Sequence, residues 1–244
     1  MKFRILSFVL VLVFAASLMA ACGKKTEVAD PMKVAEKYLD ALKDSDVKTA
    51  VSVNFCRADI KKLGDAYGKY WEVDAEDEWD DFIEYIGENY GTENVGEAAL
   101  KLMDKETDES RANYAAHFGD DYKIVISGVK KGDAVSEELI GEYVADHNDD
   151  IDSAIENLNA VGNHLGTDLL GEYRIGDGDV KEGVYVSYTA TISGSLVEED
   201  QEENGRLILL HIGDGWYVAN DNLSPLAVVE QLYYDWQFTQ TYEK

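Results

Sequence analysis

The sequence is short of cysteine, proline and positive charge. Its 244 residues include two cysteines, two prolines and four histidines. No Cys/His spacing suited to zinc occurs, and Cys56 has no second thiol beside it for redox chemistry. Both prolines fall at boundaries: Pro31 follows Asp30, an N-cap with proline at the first helical position, and Pro225 separates an alternating stretch from a helical one. Basic residues are scarcer still relative to acids, 22 against 49, for a formal net charge of −27. Binding nucleic acid depends on neutralising phosphates with basic side chains, so this balance excludes nucleic acid as a partner. It leaves a basic protein, a cation or a small ligand, beside the plainer reading that the charge keeps the chain soluble. No cofactor is expected.

What is present begins with a leader. Lys2 and Arg4 precede a large apolar run over residues 5–14, and small residues follow at Ala15, Ala16, Ser17, Ala20 and Ala21. That is the three-part layout of a secretory signal. An uncleaved membrane helix is the alternative, because the uncharged run sits at the lower length limit for spanning a bilayer. It ends, however, in small residues and a cysteine instead of an aromatic or basic stop signal.

Leu18-Met19-Ala20-Ala21-Cys22 resembles the bacterial lipoprotein box, with Met19 as its one departure. The resemblance implies that residues 1–21 are a signal peptide. The mature chain would start at Cys22 with acyl chains on it, anchored to the bacterial cell membrane on its extracytoplasmic side. More than one acyl chain is what stable anchoring takes. Residues 22–31 then form the lipidated cysteine and a short tether of about 30 Å at full extension. Lys24 and Lys25 fall at headgroup level, either attracting anionic lipid or simply solvated. With Cys22 acylated, Cys56 has no disulfide partner, and Val51, Val53 and Phe55 around it predict a buried thiol acting as a small hydrophobe.

Residues 32–244 read as a single α+β domain: helical over 32–118, mixed over 121–168, mainly β over 172–220, with a C-terminal helix over 225–242. Val34, Ala35, Tyr38, Leu39 and Leu42 recur at helical spacing, as do Ile60, Leu63, Tyr67, Tyr70 and Trp71, where Gly64 and Gly68 weaken the helix. Acids crowd residues 72–84 while Trp79, Phe82, Ile83 and Ile86 fall at i, i+3, i+4 and i+7, which makes the acids the wet face of one amphipathic helix. Val95 to Met103 builds another. Tyr122, Ile124 and Ile126 alternate as a strand, residues 130–133 read as a turn, and Leu139 to Leu158 returns to helical spacing past an interruption at 147–150. Asp146, Asn148, Asp150 and Asp152 imitate a calcium loop, but Ile151 stands where that loop needs glycine and Asn157 where it needs glutamate. Residues 184–192 and 206–212 alternate across an acidic connection at 198–204, and Gly213-Asp214-Gly215 turns into Trp216-Tyr217-Val218, giving a three-stranded meander.

Tyr38-Leu39-Asp40-Ala41-Leu42-Lys43-Asp44-Ser45-Asp46 and Gly213-Asp214-Gly215-Trp216-Tyr217-Val218 together resemble the nuclear transport factor 2-like superfamily, in particular its secreted lipoprotein branches of unknown function. The resemblance implies N-terminal helices packed on a curved antiparallel sheet with a cavity between them. Residues 72–118 and 134–168 would be helical insertions. In the manner of that family's isomerases, His211, Tyr188 and Asp221 are the candidate proton-transfer set. Tyr67, Tyr70, Trp71 and Trp79 are the candidate ligand-stacking residues, against the alternative that they build the core. Asp74, Asp77 and Asp81 are the candidate cation ligands, against a solvated face. The leading expectation is a non-catalytic, lipid-anchored binding module. An isomerase or hydrolase-like enzyme and a cation-binding module are the alternatives.

Overall fold

The computed structural model describes residues 30–219 and 224–242. The leader, Cys22 and most of its tether lie outside the described residues. Asp30 sets the start of α1 (Pro31–Lys43), its carboxylate accepting from the Met32 N–H at 2.9 Å. Asp46 likewise starts α2 (Val47–Val51), accepting from the Thr49 N–H at 3.0 Å. The chain continues through α3 (Ile60–Asp74), α4 (Trp79–Tyr90), α5 (Val95–Phe118), β1 (Lys123–Ala134), α6 (Glu137–Val161) and α7 (Leu165–Leu170). A 3-10 turn at Gly171–Tyr173 leads to β2 (Val180–Ser193), β3 (Gln201–Ile212), β4 (Gly215–Val218) and α8 (Pro225–Tyr242). The class is the expected α+β, with helices, an antiparallel meander and a C-terminal helix. The sheet has four strands in the order β1-β2-β3-β4.

Local chemistry moves several boundaries. Residues 130–133 are not a turn but the end of β1, which slips register between Ser127 and Lys130 and again between Lys131 and Ala134. Such bulges bend and twist a strand without ending it, and Gly128 supplies φ 63° in the first. The acidic connection is shorter than residues 198–204, because Gln201 to Asn204 pair with Ile192 to Thr189. The acidic run over 72–84 is two helices, broken at 75–78. Asp80 and Asp81 sit in the first turn of α4, where the helix dipole favours carboxylates.

Helix α6 passes through 147–150 without interruption because its polar residues have partners on the returning chain. His147 Nε2 lies 2.8 Å from the Tyr173 carbonyl oxygen. Asn148 exchanges both amide bonds with the Ile175 backbone, each at 2.8 Å, and Asp152 takes Arg174 in a two-pronged pair. The spacing that imitates a calcium loop is thus a clamp on residues 173–175.

One face of the sheet, with Val184, Val186, Leu207, Leu209, Trp216 and Val218, packs on Val34, Ala35, Tyr38 and Leu39 of α1. On the other, Leu210 and Ile212 meet Ile140, Tyr143 and Val144 from the start of α6. A separate and larger core gathers α3, α4, α5, α7, α8 and the second half of α6 around Leu63, Tyr67, Phe82, Met103, Leu158 and Leu232. Cys56 is fully buried there, as its neighbours predict.

Within this bundle α3 and α5 cross backbone to backbone: a Cβ on Gly64 would stand 2.6 Å from the Gly96 Cα, and one on Gly96 would overlap the Lys61 carbonyl oxygen. In an isolated helix Gly64→Ala would gain about 1 kcal/mol. Here the methyl group must push two helices apart, at a cost of about 1–3 kcal/mol. Chemical denaturation of Gly64→Ala is expected to show a net loss of stability, and a gain would mean that the two helices do not touch.

Candidate functional site

The aromatic stripe of α3 is mostly core. Tyr67 and Trp71 are 2% and 5% exposed. Trp71 stacks on Tyr233 of α8 at 5.0 Å and meets Phe82 of α4 edge-on at 5.5 Å. Phe82 in turn touches Trp236 at 5.6 Å, and the half-buried Trp79 packs on it at 5.8 Å. Rings at these separations and tilts contribute beyond the area they bury, which locks α8 between α3 and α4. Tyr67, Trp71 and Trp79 therefore do not form an exposed stacking stripe. Tyr70, half-buried, is the member that reaches the surface.

At the edge of this cluster three helices bring polar groups together. Tyr67 Oη donates to Glu230 Oε1 of α8 at 3.3 Å. Burial raises the Glu230 carboxyl above the ordinary range, and the charge of Asp150 on α6 raises it further, while the Tyr67 bond works the other way. Tyr67 itself is raised by burial and by Glu230, with Tyr70 and Tyr234 close enough to add to the effect. Tyr234, 59% exposed, and the half-buried Tyr70 lie within electrostatic reach of Tyr67, so this corner gathers tyrosines near two carboxylates. Chemically, such a corner suits a cation: the carboxylates offer charge-assisted hydrogen bonds to an ammonium or guanidinium group, and the tyrosine faces attract the same charge.

Glu230 was not among the residues singled out from the sequence, whereas Asp150 was, as part of the spacing that imitates a calcium loop. The signal for Glu230 is its place at i+4 between Leu226 and Tyr233, on a stripe otherwise apolar or aromatic. The calcium-loop spacing says nothing of Glu230; the two come within electrostatic reach of each other only through the packing of α6 against the bundle.

The other candidates are not assembled. His211 and Tyr188 share a sheet face but lie six residues apart along the register, roughly 20 Å. His211 stacks on Trp216 at 5.0 Å, with Nδ1 3.8 Å from Glu182 Oε1. Tyr188 lies across Gly205, its partner on β3, and Asp221 lies outside the described residues. Among the described residues no three His, Cys, Asp or Glu side chains converge to hold a metal ion, so Asp74, Asp77 and Asp81 do not come together. A shallow, open groove along α1 is lined by Lys33, Glu36, Lys37 and Asp40, charges of both signs that face water.

Because the folded state raises the Glu230 carboxyl, its ionisation costs stability; the cost appears above the ordinary glutamate value and is complete once pH exceeds the raised one. Glu230→Gln keeps an acceptor for Tyr67 and carries no charge. Thermal melts are expected to place it at or above wild type at pH 8, with the advantage vanishing near pH 4. A variant less stable than wild type at pH 8 and equal to it at pH 4 would contradict this. Neither a scan against protein-family models nor searches of curated proteins and of solved structures find a match to this chain.

Proposed function

We propose that this chain is a lipid-anchored extracytoplasmic protein that acts as a non-catalytic binding module, taking a cationic ligand at the corner formed by α3, α6 and α8. The anchor rests on the leader and Cys22. The binding reading rests above all on the hydrogen bond from Tyr67 Oη to Glu230, with the charge of Asp150 acting on Glu230 and with Tyr70 and Tyr234 within electrostatic reach of Tyr67. An acidic chain that holds one carboxylate half-buried among tyrosines pays in stability for that group, and a bound ammonium or guanidinium would restore the balance. The surrounding net charge draws such ligands toward the surface and repels anionic ones.

Trp71 reports on the corner, since its ring lies 5.2 Å from that of Tyr67. Titration with spermidine and with an arginine-rich peptide is expected to change tryptophan emission saturably, with affinity at least tenfold weaker in Glu230→Gln. Unchanged emission with both probes, or equal affinity in the variant, would overturn the binding reading. The anchor is tested apart from it: membrane-extracted protein should have the mass of an acylated chain starting at Cys22, and Cys22→Ala should leave the membrane fraction. A wild-type chain of unacylated mass would refute the anchor.

A further inference from the structure

The face of the sheet turned away from α1 is only partly covered. The start of α6 packs on it near Ile208, Leu210 and Ile212, and the next rows of residues are exposed. Strand register sets those rows: Lys130, Ser187 and Arg206 stand side by side across β1, β2 and β3, followed by Ser127, Thr189 and Asn204. Neighbouring strands are about 4.8 Å apart, so the backbones of Lys130 and Arg206 are roughly 10 Å from each other with the serine between them. Lys130 owes its place to the first bulge of β1. Strict alternation from Ser127 would put Val129 on this face and Lys130 on the opposite one. The extra residue reverses them, so Val129 packs into the core under α1 and Lys130 stands exposed beside Ser187. Arg206 is held by other means, its guanidinium lying 4.0 Å from the centre of the Tyr185 ring. Such stacking uses the flat face of the guanidinium and leaves the N–H groups at its edge free to donate. Thr189 donates to Asn204 Oδ1 at 2.8 Å, which turns the Asn204 NH2 group away from the threonine. Among the described residues neither Lys130 nor Arg206 forms an ion pair or a hydrogen bond, in a chain where acids outnumber bases 49 to 22. Glu202, an acid on the same face, pairs with Thr191 two rows on, about 13 Å along β3 from Arg206.

We propose that this face binds a phosphate group of a small soluble compound, seated over Ser187 between Lys130 and Arg206. The ammonium, the guanidinium edge, the Asn204 amide and the hydroxyls of Ser127 and Ser187 make the patch rich in donors. A phosphate monoester brings three strong acceptor oxygens and nearly two negative charges to meet them. A carboxylate has only two oxygens, which a single arginine fork satisfies, so it would leave the lysine and the amide unused. The bulge and the tyrosine ring hold the two cations in neighbouring positions before anything binds, which lowers the ordering cost of association. The long-range field of the acidic chain repels an anion, but salt screens that field beyond about 8 Å, and the cations in direct contact then decide. A continuous anionic bilayer would instead meet many of the domain's acids at close range, which is why the phosphate belongs to a small molecule. None of these residues belongs to the corner at Glu230, which takes the opposite charge, so the two sites fill independently.

The test is titration of the chain with inorganic phosphate and with glycerol 3-phosphate at constant ionic strength, followed by amide NMR. Saturable shifts are expected at residues 127–130, 187–189 and 204–206 while the helical bundle stays unchanged. Arg206→Gln and Lys130→Gln should each weaken binding at least tenfold, the loss expected from one charge-assisted contact. Lys69→Gln removes the same charge from an exposed position on α3 and should leave the affinity as it is. The spectra of these surface variants also report that the fold is kept. Shifts that fail to saturate, or an equal loss in all three variants, would overturn the site, the second result marking a general response to net charge. Flotation with phosphatidylglycerol vesicles forms the other arm. Binding to vesicles that is lost in Arg206→Gln, with no response to the soluble phosphates, would overturn the small-molecule source. No outcome depends on whether Cys22 is acylated or whether a cation binds at Glu230.

Discussion

The close crossing of α3 and α5 at Gly64 and Gly96 is the constraint on which the helical half depends. With no side chain between them, the two backbones come within contact distance, and the large residues are displaced to either side. On one side Tyr67 and Trp71 project from α3 toward α8, where Phe82, Tyr233 and Trp236 complete an aromatic packing that would not close if the helices stood farther apart. Because α5 runs from this crossing to Phe118, whose carbonyl oxygen accepts from the Leu196 N–H beside the sheet, the same contact also bears on how bundle and sheet meet.

Most of the elements are legible in the sequence. The N-cap at Asp30, the alternation of residues 184–192 and the Gly213-Asp214-Gly215 turn are local signals, and the chain forms what they specify. Misreadings arise where a distant partner changes the meaning of a local pattern. Gly64 reads as a weakness until Gly96 lies across it. The polar stretch 147–150 reads as a break until Tyr173, Ile175 and Arg174 return to satisfy it. Lys130 to Asp133 reads as a turn because a bulge and a turn use the same residues, and the pairing with β2 decides between them. The candidate corner was half legible: Tyr67 and Tyr70 stand out as aromatics at helical spacing. Asp150 comes to them from a helix about eighty residues later, and no periodicity within α3 announces it.

Acidity is uneven in its consequences. Most of the carboxylates face water and act together only as a long-range field. Glu106, Glu230 and Asp235 are different, because neighbouring helices shield them and each is raised by burial before any other cause. All three lie at the contacts of α8, the last helix of the chain. An element docked mainly by aromatic rings, yet carrying acids into its contacts, has strong attraction and strong opposition in the same interface, and modest changes in charge shift the balance.

Among the described residues β1 is an edge strand of the sheet, and it carries Lys123, Lys130 and Lys131 on a course twice interrupted in register. A sheet edge is the natural place for a second molecule to add a strand. Lysines of like charge and a broken spacing of amide groups deny an identical edge both the attraction and the geometry that zippering needs. Two copies of this chain brought together at β1 therefore gain little from pairing there.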